Sequence, residues 1–129
     1  MEEEKKRELG EKYTYLQILL ENLLRQREAL VKNLEEIEET LEAIKNLKSD
    51  MEILFSVGGN VFGFGKLLSE RFLVNVGSNI GIEVNKEKAS EILERSKETL
   101  IKNLNEIEKN INKIVSEQQK ILNILQNKK

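Results

Sequence analysis

A heptad pattern in the first fifty residues constrains the fold more than any other feature. Apolar residues recur at alternating spacings of four and three from Leu9 to Met51, and eleven of these thirteen seam positions are apolar. A 3.5-residue repeat keeps one stripe of a helix facing a partner along its whole length, which is typical of a coiled coil. The pattern therefore predicts a long helix over residues 1–52 that packs against another helix of similar length.

A second heptad pattern ends the chain. Eight of the ten seam positions from Leu93 to Leu125 are apolar, which predicts a helix over residues 85–129, with Asn85 suited to be its N-cap. Two seams of similar length, joined by a short insert, predict an antiparallel coiled coil. If Met51 lies opposite Glu87, the numbers of facing residues sum to about 138.

The insert, residues 53–84, has a different composition. It holds six of the seven glycines and all four phenylalanines. Val57 and Val61 flank one Gly/Asn-rich triplet, and Val76 and Ile80 flank another. Such triplets suit hairpin loops because Gly and Asn tolerate positive φ. The insert therefore predicts two β-hairpins.

The second hairpin has the more regular alternation. Pairing Val76 with Ile80 makes both strands agree on one apolar face. That face comprises Phe72, Val74, Val76, Ile80, Ile82 and Val84. In the first hairpin, Gly63 and Gly65 fall on the face of Phe55, which indicates sharp curvature or the close approach of another backbone.

Two isolated hairpins are barely stable in water, and their open edges favour pairing with other chains. The predicted fold is mainly α, a long antiparallel coiled-coil hairpin with two β-hairpins inserted between the helices. Its sheet is predicted to be completed by oligomerisation into a β-barrel body. The predicted oligomerisation residues are Phe55, Val57, Val61, Phe62, Phe64, Phe72, Val74, Val76, Ile80, Ile82 and Val84.

The end of the coiled coil nearest the chain termini has more apolar residues than a two-helix seam needs. This apolar end comprises Tyr13, Tyr15, Leu16, Ile18, Leu19, Leu20, Ile121, Leu122, Ile124 and Leu125. Two interpretations stay open at this point. The end packs only against itself, or it is a partly exposed surface that holds another molecule.

Composition narrows the function classes. The chain has no cysteine and no histidine, which excludes thiolate chemistry and removes the usual general base and metal ligand. A net charge of −2 argues against nucleic-acid binding, and no apolar run is long enough for a membrane span. Glu35, Glu38, Glu39 and Glu42 could be read as a carboxylate metal site, but such sites need converging elements and these residues project outward from a coiled coil, so an exposed charged face is favoured. We expect a cytoplasmic protein that is not an enzyme and has no cofactor.

The segment Leu73–Ile80 (LVNVGSNI), followed by Glu83, Val84 and a helix containing Ala89, resembles the hairpin-to-helix segment of the prefoldin alpha class. The order helix, two hairpins, helix also resembles that class over essentially the whole chain. The related beta class has a single hairpin, so two hairpins favour alpha.

The resemblance implies an ATP-independent chaperone. Prefoldin hairpins join into a β-barrel body, and coiled-coil tips hold non-native proteins and pass them to a group II chaperonin. The partners so implied are beta-type prefoldin subunits or copies of this chain, together with client proteins and the chaperonin. An alternative is a structural protein that forms a homo-oligomer or filament through its hairpins.

Overall fold

The structure, a computed structural model, describes residues 2–127. Along the chain, two long helices flank four short strands, which confirms a mainly α fold with two β-hairpins inserted between the helices. Completion of the sheet by oligomerisation stays a prediction. In chain order the elements are α1 (Glu2–Asn46), β1 (Glu52–Gly58), β2 (Val61–Lys66), β3 (Arg71–Asn75), β4 (Gly81–Asn85) and α2 (Lys86–Asn127). Residues 2–34 and 99–127 form one compact unit, here called the terminal unit. Residues 35–98 form the second, called the hairpin unit.

The core of each unit follows the predicted seams. Leu16, Ile111 and Ile121 are buried in the terminal unit, and Ile44 and Ala89 are buried in the hairpin unit. Every seam position of α2 from 93 to 125 is buried or half-buried. The heptad pattern therefore identified inward positions along α2 from 93 to 125, but not Ala89, which is buried outside the predicted seam.

Two polar contacts show that the helices of the terminal unit run antiparallel. Gln118 Nε2 donates a hydrogen bond to Gln17 Oε1 at 2.9 Å, and Arg27 Nε lies 2.6 Å from Glu108 Oε1. The residue numbers of each pair sum to 135, three fewer than predicted. The prediction took Met51 as its anchor, and Met51 lies outside the helix.

Helix α1 ends at Asn46, several residues before the predicted boundary at residue 52. The following backbone is drawn into the first hairpin instead. Asp50 N–H donates to Leu67 O at 2.8 Å, Leu67 N–H donates to Met51 O at 2.9 Å, and Asp50 has a φ of 68°. A positive φ at a non-glycine residue is incompatible with a continuing helix, so the seam stops before Lys48 and Met51.

The second hairpin has the predicted register. Strand β3 pairs with β4 so that Phe72 faces Val84 and Val74 faces Ile82. Val76 N–H donates to Ile80 O at 2.9 Å, which closes the Gly-Ser-Asn loop as expected. The loop needs positive φ at all three positions, which explains its residue types.

Helix α2 begins directly after this hairpin. Asn85 Oδ1 accepts a hydrogen bond from Lys88 N–H at 2.8 Å, so Asn85 is the predicted N-cap. Lys86 Nζ donates to Leu47 O at 2.8 Å. This bond satisfies a carbonyl just beyond the end of α1, which has lost its helical partner.

The first hairpin departs from simple alternation at its turn. Strand β1 pairs with β2, but the register shifts between Ser56 and Gly58, so that Gly58 rather than Val57 faces Val61. Gly58 and Gly59 take positive φ, which allows a tight loop with Val57 as a bulge.

Gly63 and Gly65 lie close to an aromatic ring of their own hairpin. A β-carbon on Gly63 would lie 2.7 Å from Phe55 Cζ, and one on Gly65 would lie 3.2 Å from Phe55 Cε1. Within this chain, the group that approaches these glycines is therefore the Phe55 ring of the same hairpin. Absence of two side chains lets the ring lie against strand β2.

Candidate functional surfaces

The terminal unit carries exposed apolar side chains outside its seam. Tyr15, Ile18 and Ile124 are 61, 53 and 47% exposed, and we call these three residues the terminal apolar surface. Tyr15 and Ile18 are three residues apart on α1, so they share one face of that helix. Their seam neighbour Leu16 points inward. Helix α1 is thus apolar on two sides. Only the side that carries Leu16 packs against α2.

The structure divides the predicted apolar end into three groups. Leu16 and Ile121 are buried in the seam, so they stabilise the helix pair and are not available at its surface. Half-buried positions between seam and surface are Tyr13, Leu19, Leu20, Leu122 and Leu125. The exposed group is the terminal apolar surface.

A second set of exposed apolar residues lies outside the predicted apolar end. Leu24, Ile101 and Val115 are also exposed in the terminal unit. Ile101 and Val115 are two heptads apart, with Glu108 midway between them. Ile101, Glu108 and Val115 therefore lie on one side of α2. Their seven-residue spacing is the sequence signal that indicates this shared side.

Charged groups near the terminal apolar surface form weak pairs. Lys12 Nζ lies 3.9 Å from Glu117 Oε2, and Lys120 Nζ lies 3.8 Å from Glu117 Oε1, with all three side chains well exposed. Exposed pairs of this kind contribute little to stability. The terminal unit therefore exposes both apolar side chains and weakly paired charges.

Within residues 2–127, no cluster of three or more metal-ligating side chains could hold a metal ion. No helix in the same range is long and apolar enough to cross a membrane.

The hairpin unit carries the second exposed apolar surface. Each hairpin is a separate two-stranded sheet, so every strand has an open edge with unpaired backbone groups. Most of the predicted oligomerisation residues are exposed on these sheets, namely Phe55, Val57, Val61, Phe62, Phe64, Val76, Ile80 and Ile82. The rest, Phe72, Val74 and Val84, are half-buried.

These features define a class of protein that combines two long helices with small β-sheets. The edges and apolar faces of the sheets are open to contact with other chains. The family model described as prefoldin subunit matches residues 16–129. The chain belongs to the prefoldin family. Prefoldins are chaperone subunits that assemble with other prefoldin subunits or with copies of themselves.

Two archaeal relatives support the alpha class. The prefoldin subunit alpha of Thermofilum pendens is 33% identical over 94 residues, which cover 70% of this chain and 73% of the relative. The prefoldin subunit alpha of Archaeoglobus fulgidus is 32% identical over 99 residues, covering 68% and 69%.

A solved structure shows the same fold. The filamentous prefoldin from Methanocaldococcus jannaschii, determined by cryo-electron microscopy, superposes with a TM-score of 0.71 at 20% identity. The match covers 90% of this chain and 97% of that one.

Proposed function

We propose that this chain is a subunit of an ATP-independent holdase that binds non-native proteins through the terminal apolar surface. The observation that carries the proposal is the exposure of Tyr15, Ile18 and Ile124 beside a completed seam. Single exposed apolar side chains are normal, whereas neighbouring ones are typical of an interaction site, and Tyr15 and Ile18 are neighbours on one face of α1. The family membership supports a chaperone role for that site.

Client binding of this kind needs no chemical step. Unfolded chains expose apolar side chains, and their burial against Tyr15, Ile18 and Ile124 is favourable by about 25 cal/mol per Å². Three residues give weak binding to one copy. Several copies held in one assembly raise the effective affinity by multivalency. The proposed function therefore needs the hairpins as well as the coiled coil, and it needs neither ATP nor a cofactor.

Assembly is proposed to occur by edge pairing of β1–β4 with strands of other subunits, closing a β-barrel body. The open edges and the exposed apolar faces support this step. The partner subunits are beta-type prefoldins or further copies of this chain, and the bound client is passed to a group II chaperonin in the cytoplasm.

The direct test replaces the terminal apolar surface without touching the seam. The triple variant Tyr15→Ser/Ile18→Ser/Ile124→Ser should keep the helical content and the oligomeric mass of the wild type. It should suppress thermal aggregation of an unfolded client several-fold less well, because the apolar contact area is lost. Leu68→Ser/Leu73→Ser, which changes two exposed leucines of the hairpin unit, is the matched control. Equal suppression by the triple variant and the wild type would contradict the proposal.

The alternative function, a structural homo-oligomer or filament, has its own support. Both hairpins expose apolar side chains on open sheets, and the similar structure from M. jannaschii is itself described as filamentous. Electron microscopy and light scattering of the purified chain test this alternative. Long particles of variable length favour it, and a single closed species excludes the filament.

A further inference from the structure

One side of the helix pair in the terminal unit stays apolar beyond the seam. Arg27 Nε lies 2.6 Å from Glu108 Oε1 on this side, and Leu24 lies there too because it is one helical turn before Arg27. Residues at intervals of seven from Leu24 and Glu108 share the same side of their helices. We call it the Leu24 side, and it comprises Leu24 and Val31 on α1 and Ile101, Glu108, Val115 and Leu122 on α2.

The opposite side of the helix pair is largely polar. Lys12 Nζ lies 3.9 Å from Glu117 Oε2 across it. Positions at intervals of seven from these two residues are Gln26, Asn33, Asn103 and Asn110, together with Leu19 and Ile124. Amides and charges therefore predominate on this side, whereas every member of the Leu24 side except Glu108 is apolar.

Packing between the two helices does not cover the Leu24 side. Val31 and Leu122 are half-buried and extend the seam, but Leu24, Ile101 and Val115 are 41, 39 and 47% exposed. A two-helix coiled coil needs apolar residues only along its seam, whereas helices that also carry them along one flank are typical of bundles with a further helix. The stretch from Ile101 to Leu122 is about 30 Å long at 1.5 Å per residue. A docked helix of about 20 residues has the same length.

The α1 border of the Leu24 side is acidic. Glu21 and Glu28 lie one turn before and one turn after Leu24, and both are exposed. Within residues 2–127, no salt bridge engages either carboxylate. Arg25 directly follows Leu24, but its Nη2 donates to Asn22 Oδ1, two residues from Leu24 and therefore on the other side of α1. The two carboxylates are thus available to a cation on a bound partner.

The α2 border of the Leu24 side carries amides. Asn105 and Asn112 each lie one turn after a member of the Leu24 side, and both are exposed. Lys102 and Lys109 directly follow members of the Leu24 side, which turns them about 100° away from it. The borders therefore carry negative charge on one helix and neutral amides on the other, so the Leu24 side is complementary to a basic partner.

We propose that the Leu24 side binds an amphipathic helix of another protein, in which lysine or arginine flanks the apolar stripe. The exposed Leu24, Ile101 and Val115 bury that stripe, and Glu21 and Glu28 pair with its basic flank. Charge complementarity of this kind sets the orientation and the choice of partner. A second copy of this chain is a poorer occupant, because its own Leu24 side brings no basic residue to the two glutamates. The proposal does not rest on client binding at the terminal apolar surface.

The first part of the test titrates the purified chain with a synthetic helical peptide of about 20 residues, in which a leucine stripe is flanked by lysines. Leu24→Ser/Ile101→Ser/Val115→Ser should weaken binding about tenfold or more in calorimetry, because the apolar contact is lost. Tyr15→Ser/Ile18→Ser/Ile124→Ser removes as many exposed apolar side chains from the terminal apolar surface and should leave the affinity unchanged. Equal weakening by both variants, or none by the first, overturns the proposal. Aggregation suppression is scored separately and should persist in the first variant.

The second part tests the acidic border. Glu21→Gln/Glu28→Gln should weaken peptide binding by about three- to tenfold at low salt, and the loss should shrink with added salt. Glu8→Gln/Glu106→Gln is the matched control, since it removes the same charge from exposed positions off the Leu24 side. Equal loss in both variants would show only general attraction, and no loss in the first would remove the basic partner; either result overturns the proposal. This variant leaves the apolar contacts intact, so it stays decisive if the serine variant fails to fold.

The third part locates the bound peptide. The chain has no cysteine, so Asn105→Cys places a single environment-sensitive fluorophore at the border of the Leu24 side, and Asn103→Cys places one on the opposite side. The leucine–lysine peptide should change the emission at position 105 and not at position 103. An equal response at both positions, or a response at 103 alone, overturns the proposal. A lower oligomeric mass of Leu24→Ser/Ile101→Ser/Val115→Ser than of the wild type, measured by light scattering without peptide, would assign the Leu24 side to a second copy and overturn it as well.

Discussion

The contact between Gly63 and Phe55 gives a sharp prediction about the first hairpin. In the Gly63→Ala variant, the new β-carbon would lie 2.7 Å from Cζ and 3.0 Å from Cε2 of Phe55. Carbon atoms pack at about 3.5–4.0 Å, so the ring must move away from strand β2 and loses part or all of its contact there. Phe55 is 48% exposed, which gives the ring an open route into water.

The magnitude follows from the area that the ring buries. A fully buried Phe hides roughly 200 Å², so the half that Phe55 hides corresponds to about 2.5 kcal/mol at 25 cal/mol per Å². Replacing Gly by Ala in a strand returns about 0.5–1 kcal/mol of backbone entropy. We expect a net destabilisation of the hairpin of up to about 2 kcal/mol.

Hydrogen exchange measures this change locally. Peptides covering Glu52–Lys66 should exchange about 10–30-fold faster in Gly63→Ala, since 1.4 kcal/mol corresponds to a factor of ten. Gly10→Ala is the matched control, because a β-carbon there meets nothing within 4 Å and should stabilise α1 by about 0.5–1 kcal/mol. Unchanged or slower exchange in the hairpin of Gly63→Ala would refute the steric argument.

Three further predictions concern the helices. Gln118→Ala should destabilise the protein by about 1 kcal/mol through loss of the hydrogen bond to Gln17; a double-mutant cycle of the two residues by chemical denaturation should give a coupling of that size, and zero coupling would contradict it. The side chains of the Arg27–Glu108 ion pair are 48 and 40% exposed. A double-mutant cycle of these two residues should therefore give a coupling energy of less than about 1 kcal/mol, and this energy should fall with added salt. A coupling energy independent of salt would argue for a buried pair. Ala89 has no exposed surface, so Ala89→Leu should lower stability by about 1–3 kcal/mol through overpacking, and a raised melting temperature would show that space exists.

Regular patterns in the sequence predicted the regular parts of the structure. The register of the second hairpin followed from alternation of Phe72, Val74 and Val76 with a Gly-Ser-Asn loop between strands. The seam of α2 followed from a repeat that packing enforces at every step. In both cases each residue's local preference agrees with its tertiary contacts.

Predictions were wrong where one contact overrides a local pattern. Met51 continues the heptad spacing, but the hydrogen bonds of Asp50 and Met51 to Leu67 end the helix first. In the first hairpin, the bulge at Val57 follows from positive φ at two successive glycines. Periodicity alone does not reveal that choice between a two-residue and a three-residue loop.

The position of exposed apolar side chains was predictable, but not which side chains they are. Excess apolar residues predicted a partly exposed end of the coiled coil, and Tyr15, Ile18 and Ile124 are exposed there; client binding at this end stays a prediction. The sequence did not separate Leu16 and Ile121, which complete the core, from Tyr15 and Ile18, which face solvent. That division depends on the rotation of each helix about its axis, which only the packed pair fixes.

Site-specific photo-crosslinking tests the central claim most directly. A photoreactive amino acid at position 15, in place of Tyr15, is irradiated with a permanently unfolded client or with the same client in its native state, and Leu68 is substituted in the same way as the control. The account predicts crosslinks from position 15 to the unfolded client alone, and few from position 68. Absence of crosslinks from position 15, or equal crosslinking from both positions, would contradict client binding at the terminal apolar surface.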